Sequence, residues 1–280
     1  MPGLYVVATP IGNLEDITLR ALRVLREADL IACEDTRHTQ KLLNHFEIKT
    51  PSKSYHEHNE SARAQEMIER IKKGERIALV SDAGMPGISD PGERVIRAAL
   101  DRGLNVVVVP GASALVTALV ASGLPTDSFR FVGFLPPREG ERRSALESLR
   151  DASETLVLYE APHRIRETLA DLQAVFGPER RVAIARELTK IHEEFLRGSV
   201  AQVSATIAQR QVAKGEITLI VAGKPPGATA RPAQKTLIQR MGELMTSESL
   251  DEKAALKHVA KEFGVPKSEA YREWQRRKKL

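Results

Sequence analysis

Along the first hundred residues, short runs of aliphatic and β-branched side chains alternate with stretches whose apolar positions recur every three or four residues. Residues 4–8, 29–33, 76–80 and 104–109 carry the strand pattern, and 18–27, 36–46, 59–73 and 91–102 the helical one. Thr36 and Asn59 suit N-caps, and Gly74 suits the position just past a helix end. Such alternation predicts an α/β domain on a mainly parallel sheet. Beyond residue 114 the order changes: strands are expected at 129–134, 154–159, 181–187, 192–196 and 215–222, helices at 141–152, 162–176 and 200–210. No helical segment separates 181–187 from 192–196, so the two form a hairpin and the second sheet is mixed. Residues 223–229, rich in Pro and Gly, are a linker, and 232–245, 251–263 and 267–279 are helical. Three parts are therefore expected: an α/β domain over 1–112, a second α/β domain over 113–224, and a helical module over 231–280.

Charge sharpens this picture at one end. The net charge of +5 is uneven: residues 1–228 hold 30 Lys and Arg against 30 Asp and Glu, whereas 229–280 hold 12 against 7. A basic appendage on a neutral body fits a polyanionic partner, most often nucleic acid, with a merely solvated helical surface as the competing reading. In the helix over 251–263, Lys253, Lys257 and Lys261 fall at i, i+4 and i+8, a stripe suited to RNA phosphates, and Arg276, Arg277, Lys278 and Lys279 add a cluster at the end of the next. Ala255, Val259 and Phe263 share the apolar face of the first of these helices, and Tyr271 and Trp274 are expected to pack. The single cysteine, Cys33, excludes an internal disulfide. No apolar run approaches the ~20 residues of a membrane span and no basic leader opens the chain, so a cytoplasmic protein is expected.

The chemistry concentrates at three corners. Residues 80–92, Val-Ser-Asp-Ala-Gly-Met-Pro-Gly-Ile-Ser-Asp-Pro-Gly, join a strand to a helix with far more Gly and Pro than a tight turn needs. They lack the lysine and hydroxyl of a phosphate-cradling loop, and Gly87–Gly92 does not have the Gly-x-Ser-x-Gly spacing of a hydrolase elbow. Residues 8–13, Ala-Thr-Pro-Ile-Gly-Asn, likewise lack a dinucleotide fingerprint after the first strand. What remains is a rigid loop with many free backbone groups and one well-placed carboxylate, Asp82. Residues 8–14 and 109–114 repeat the design at neighbouring strand ends, so the three corners together are expected to hold a small polar ligand.

Residues 8–18, 32–37, 55–60, 81–92 and 109–114, together with 133–136, 159–164, 186–190 and 215–218, resemble the motifs of the tetrapyrrole-methylase superfamily. The similarity is strongest to its bacterial branch that methylates the ribose 2′-oxygen of a cytidine in the decoding region of 16S ribosomal RNA. It departs at Met85, where the family has threonine, and at Ala112, often proline there. The resemblance implies S-adenosylmethionine folded into a cleft between two α/β domains, and a homodimer. Carried over by position, it puts Thr9, Pro10, Ile11, Asp82, Ala83, Gly84, Met85, Ile88, Ser113, Ala114, Tyr159, Arg186, Glu216, Ile217 and Thr218 at the cofactor. Arg37, Lys41, His163 and Arg164 are expected at the mouth, toward RNA phosphates.

Methyl transfer to a hydroxyl needs alignment and removal of a proton. Lys190, with a pKa lowered beside Arg186, or Glu187 is the expected base, with His56 and Glu34 behind them. No metal is expected, because His56 and His58 have poor ligand spacing. Two other readings stay open: a tetrapyrrole C-methyltransferase, and an RNA-binding regulatory protein with a vestigial cofactor site.

Overall fold

The computed structural model describes residues 1–56, 59–210, 215–225, 240–241, 244–245, 250–263 and 265–278. It divides into two compact units, Met1–Lys224 and Pro225–Leu280. In the first unit, β1 (Gly3–Val7), β2 (Leu30–Cys33), β3 (Ser52–Ser54), β4 (Arg76–Val80) and β5 (Val106–Val109) form an all-parallel sheet in the order β3-β2-β4-β1-β5. Its crossovers are α1 (Leu19–Glu27), α2 (Thr36–His45), α3 (Glu60–Lys72) and α4 (Glu93–Leu100). Apolar clusters lie on both faces, Leu4, Leu79 and Ile68 on one and Val7, Ile31 and Leu43 on the other. Burial on both sides explains why these strands are continuous apolar runs.

The second sheet follows the order β6-β7-β10-β8-β9, from β6 (Phe129–Phe134), β7 (Thr155–Glu160), β8 (Arg181–Arg186), β9 (Glu194–Ser199) and β10 (Ile217–Val221). Only β6 and β7 run parallel, so the sheet is mixed, and β8 and β9 form the expected hairpin from Arg181↔Ser199 to Arg186↔Glu194. Around it lie α5 (Ala114–Ser122), α6 (Glu139–Ser148), α7 (Ile165–Phe176) and α8 (Val200–Ala208). Under α6 and α7, Arg142 is 2% exposed and pairs with buried Asp171 at 2.6 Å, which also receives Arg143.

Two elements were absent from the sequence expectation. β3 is Ser-Lys-Ser, which has no apolar signal and exists through its pairing with β2. α5, Ala-Leu-Val-Thr-Ala-Leu-Val-Ala-Ser, is apolar nearly all round and so lacks an amphipathic period. Its ends are nevertheless marked: Ser113 Oγ accepts the Val116 N–H, and Gly123 stops it at φ +72°. The cap of α2 is Asp35 and not Thr36, its Oδ1 accepting the Arg37 N–H at 2.8 Å. Asn59 occupies the cap position of α3 but makes no cap bond; its Oδ1 accepts from the His56 N–H. Gly74 follows α3 at φ +98°, as its position required.

In the second unit, α9 (Glu252–Phe263) and α10 (Lys267–Lys278) pack through Ala255, Leu256, Val259, Ala260 and Ala270, with Trp274 against them. Tyr271 is half-exposed, and Phe263 is also at the surface. Most of the helix expected over 232–245 lies outside the described residues, as do His58 and Lys279. No helix among the described residues is long and apolar enough to cross a membrane.

Candidate functional site

The three corners meet at the carboxyl ends of β1, β4 and β5, where an open parallel sheet leaves a crevice for ligands. They are stitched together through backbone. Thr9 N–H donates to Gly84 O at 2.9 Å, Gly84 N–H returns to Thr9 O at 3.1 Å, and Thr9 Oγ1 donates to Ser81 O. The left-handed φ of +82° at Gly84 makes this exchange possible without strain. Asp82 is fixed by the Asp35 N–H, which donates to its Oδ1 at 3.1 Å. At the third corner, a Cβ on Gly111 would stand 2.9 Å from that of Ala8, so only glycine allows the β5 and β1 corners to approach this closely.

The second sheet closes the crevice with its β8–β9 turn. Asn13 N–H donates to Thr189 Oγ1 at 3.0 Å, and a Cβ on Gly12 would fall 2.5 Å from Lys190 Cγ and 2.9 Å from Leu188 O. Glu187 and Thr189 hold left-handed φ values of 52° and 63°. That strain is held by a carboxylate knot: Glu187 Oε1 accepts from Glu216 N–H and from Lys190 Nζ, both at 3.0 Å.

Two contiguous cavities result. The first, about 410 Å³, is lined by Ile11, Asp82, Ala83, Gly84, Met85, Ile88, Ser113, Ala114, Tyr159, Glu216, Ile217 and Thr218. These are twelve of the fifteen residues expected at the cofactor. Of the others, Thr9 and Pro10 line the second cavity, about 310 Å³, and Arg186 lines neither, pairing instead with Glu194 at 3.2 Å. Ile11, Asp82, Ala83 and Glu216 belong to both cavities and form their common wall. Sequence reasoning missed Ser89, Asp90, Phe134, Ala161 and Pro162 in the first cavity. All five sit inside the quoted motifs, so proximity along the chain was the available signal.

The charges differ between the cavities. Asp82, Asp90, Glu160 and Glu216 line the first, with no Lys, Arg or His among its lining residues. Burial, helped by repulsion from Glu34 and Asp82, pushes Asp90 up to about 6 against the pull of a hydrogen bond from Ser81. Burial and Asp90 also raise the Tyr159 phenol. The second cavity adds His38, Lys41 and Lys190.

The base expected at the hairpin is revised here. Partial burial draws the Lys190 ammonium down, but its bond to Glu187 and the Glu216 carboxylate 3.4 Å away outweigh this and raise its pKa. It stays protonated at neutral pH, the reverse of the lowered value expected. Burial raises Glu187, yet the Glu216 N–H, Lys190 and Arg186 hold it below the usual carboxylate range, so it is a weak base.

The remaining cations fall elsewhere. The Arg37 side chain is 90% exposed and paired with Asp35, and only Lys41 of the four residues expected at the mouth lines a cavity. Arg164 is committed internally, donating to the carbonyls of Leu135 and Pro136, while His163 is exposed. Lys253, Lys257 and Lys261 are exposed on α9. Among the described residues no group of three His, Cys, Asp or Glu is placed to hold a metal.

A crevice at parallel strand ends, an acid-lined cavity and a closing mixed sheet define a class. Residues 3–204 match the family model of tetrapyrrole (corrin/porphyrin) methylases, and the chain belongs to that family. It is an S-adenosylmethionine-dependent methyltransferase. The chain is 49% identical over 273 residues to a protein of Halalkalibacterium halodurans called ribosomal RNA small subunit methyltransferase I, covering 96% of this chain and 93% of that one. A protein of the same name from Synechocystis is 46% identical over 268 residues, covering 96% and 95%. Among solved structures, the uroporphyrin-III C-methyltransferase of Thermus thermophilus shares the fold at a TM-score of 0.55 and 23% identity, covering 79% of this chain and 94% of that one.

The first cavity fits the cofactor. Four carboxylates suit a ligand carrying a sulfonium and an ammonium charge, and the close backbone of the corners suits its polar edges.

Proposed function

We propose that this methyltransferase modifies the ribose 2′-oxygen of a cytidine in 16S ribosomal RNA, acting in the cytoplasm as a homodimer. The 49% identity over nearly the whole chain to a ribosomal RNA small subunit methyltransferase I carries this reading. A basic second cavity beside an acidic first one supports it, since RNA is anionic and the methyl donor cationic. Val116 and Val120, 51% and 71% exposed on α5, leave an apolar face that supports the homodimer. The exposed lysines of α9 support an RNA-docking role for the second unit.

S-adenosylmethionine supplies an activated methyl group, so the protein has to position the acceptor and take its proton. Lys190, held cationic by Glu187, neutralises RNA charge at the mouth, and Glu187 fixes its place. Asp82 and Glu216, on the wall shared by both cavities, are the carboxylates in position to receive the hydroxyl proton. The test is mass mapping of methylated nucleosides in 16S RNA from cells with and without the protein. Loss of one 2′-O-methylcytidine is expected; an unchanged map would overturn the reading.

A further inference from the structure

We propose that the second cavity seats the acceptor nucleotide of the RNA and that the Thr39 hydroxyl hydrogen-bonds its base. The inference rests on the reading of this protein as an RNA methyltransferase and goes on to say which residues hold the acceptor.

Thr39 lies on the face of α2 that walls the cavity and is 3% exposed. Its Oγ1 has no hydrogen-bond partner among the described residues, and Cys33, the thiol it approaches, is a weak acceptor. A buried hydroxyl without a partner is costly and rare in a folded protein, and a site that keeps one beside a cavity is built for a ligand to complete it. A hydroxyl both donates and accepts, which matches the mixed carbonyl, ring-nitrogen and amino edge of a nucleobase.

The surroundings fit the rest of a nucleotide. Pro10 and Leu42 supply apolar surface against which an unstacked base can lie, while Lys41 and Lys190 supply positive charge for its phosphates. The cavity touches the cofactor cavity only through their common wall. An acceptor in one and a donor in the other therefore face each other there, as displacement in line requires. A single splayed-out nucleotide is the class of ligand this space takes.

The experiment compares the full-length wild type with Thr39→Val, Thr39→Ala and Thr39→Ser. Melting temperature, S-adenosylmethionine affinity by calorimetry, and KM and kcat on small-subunit RNA are measured for each. Thr39→Val is expected to melt higher, because it removes an unmatched hydroxyl at equal volume, and to bind the cofactor as the wild type does. Its KM for RNA should rise about tenfold, the effect of one lost hydrogen bond that leaves a base edge unpaired. Thr39→Ala should show the same rise in KM, and Thr39→Ser should restore it. Wild-type RNA kinetics in both Thr39→Val and Thr39→Ala would remove the proposed seat while leaving the methyltransferase reading intact. A wild-type protein that leaves small-subunit RNA unmodified would remove the reading and the seat together.

Discussion

Asp90→Asn is expected to make the protein more stable and a poorer binder of its methyl donor, with both effects largest above pH 6. In the folded chain the Asp90 carboxyl is raised from its ordinary 3.8 to about 6. The folded state therefore keeps its proton over a range in which the unfolded chain has lost it. As pH rises through this window the unfolded state is increasingly favoured; the penalty is small near pH 4 and complete above pH 6. The whole displacement corresponds to about 3 kcal/mol. Asp90 keeps partial access to solvent, so roughly half of that, about 1.5 kcal/mol, is the realistic size. For a body of this length that is about 3–6 °C in melting temperature. The assay is thermal and urea unfolding of both proteins at pH 7.5 and pH 4.5. Asparagine should show the full gain at pH 7.5 and about a third of it at pH 4.5. Calorimetry at pH 7.5 should show cofactor affinity about fivefold weaker, the size of one partly screened charge facing a cation. A variant with no gain in stability, or with an equal change at both pH values, would refute the account of why Asp90 is raised.

Arg142→Ala should destabilise the first unit by about 3–5 kcal/mol, since it leaves Asp171 charged and buried, and denaturant unfolding checks this. Gly12→Val should drive a side chain into Lys190 and Leu188, opening the contact between corner and hairpin; calorimetry should find cofactor binding at least tenfold weaker. Removing residues 231–280 should leave cofactor affinity unchanged while weakening RNA binding and flattening its dependence on salt. An unchanged slope would place the RNA on the first unit alone.

Much of the fold was legible because it is written in periodicity. The parallel strands are apolar runs, and the hairpin announces itself by the missing helix between 181–187 and 192–196. α5 and β3 escaped for opposite physical reasons: one is too uniformly apolar to show a face, the other too polar to show a strand. The corners were legible because Gly and Pro mark unusual backbone, and Gly84 and Gly111 occupy positions that demand glycine. The protonation of Lys190 was not. It depends on Glu187, turned toward it by a left-handed backbone, and on Glu216 from another strand, neither of which spacing along the chain reveals.

The position of β10 has a consequence for synthesis. It is the last strand to leave the ribosome, yet it sits in the middle of its sheet, paired with β7 on one side and β8 on the other. Until residues 217–221 emerge, β6–β7 and β8–β9 are two ribbons with open inner edges, which are templates for wrong pairing. At about 5–20 residues per second, the interval from the end of β7 to the end of β10 lasts roughly 3–12 seconds. The same strand brings Ile217 and Thr218 to the first cavity, so a nascent chain is unable to complete its methyl-donor site before its second sheet is closed. A chain terminated before residue 217 would therefore lose sheet and site together, with its aggregation-prone edges left uncovered.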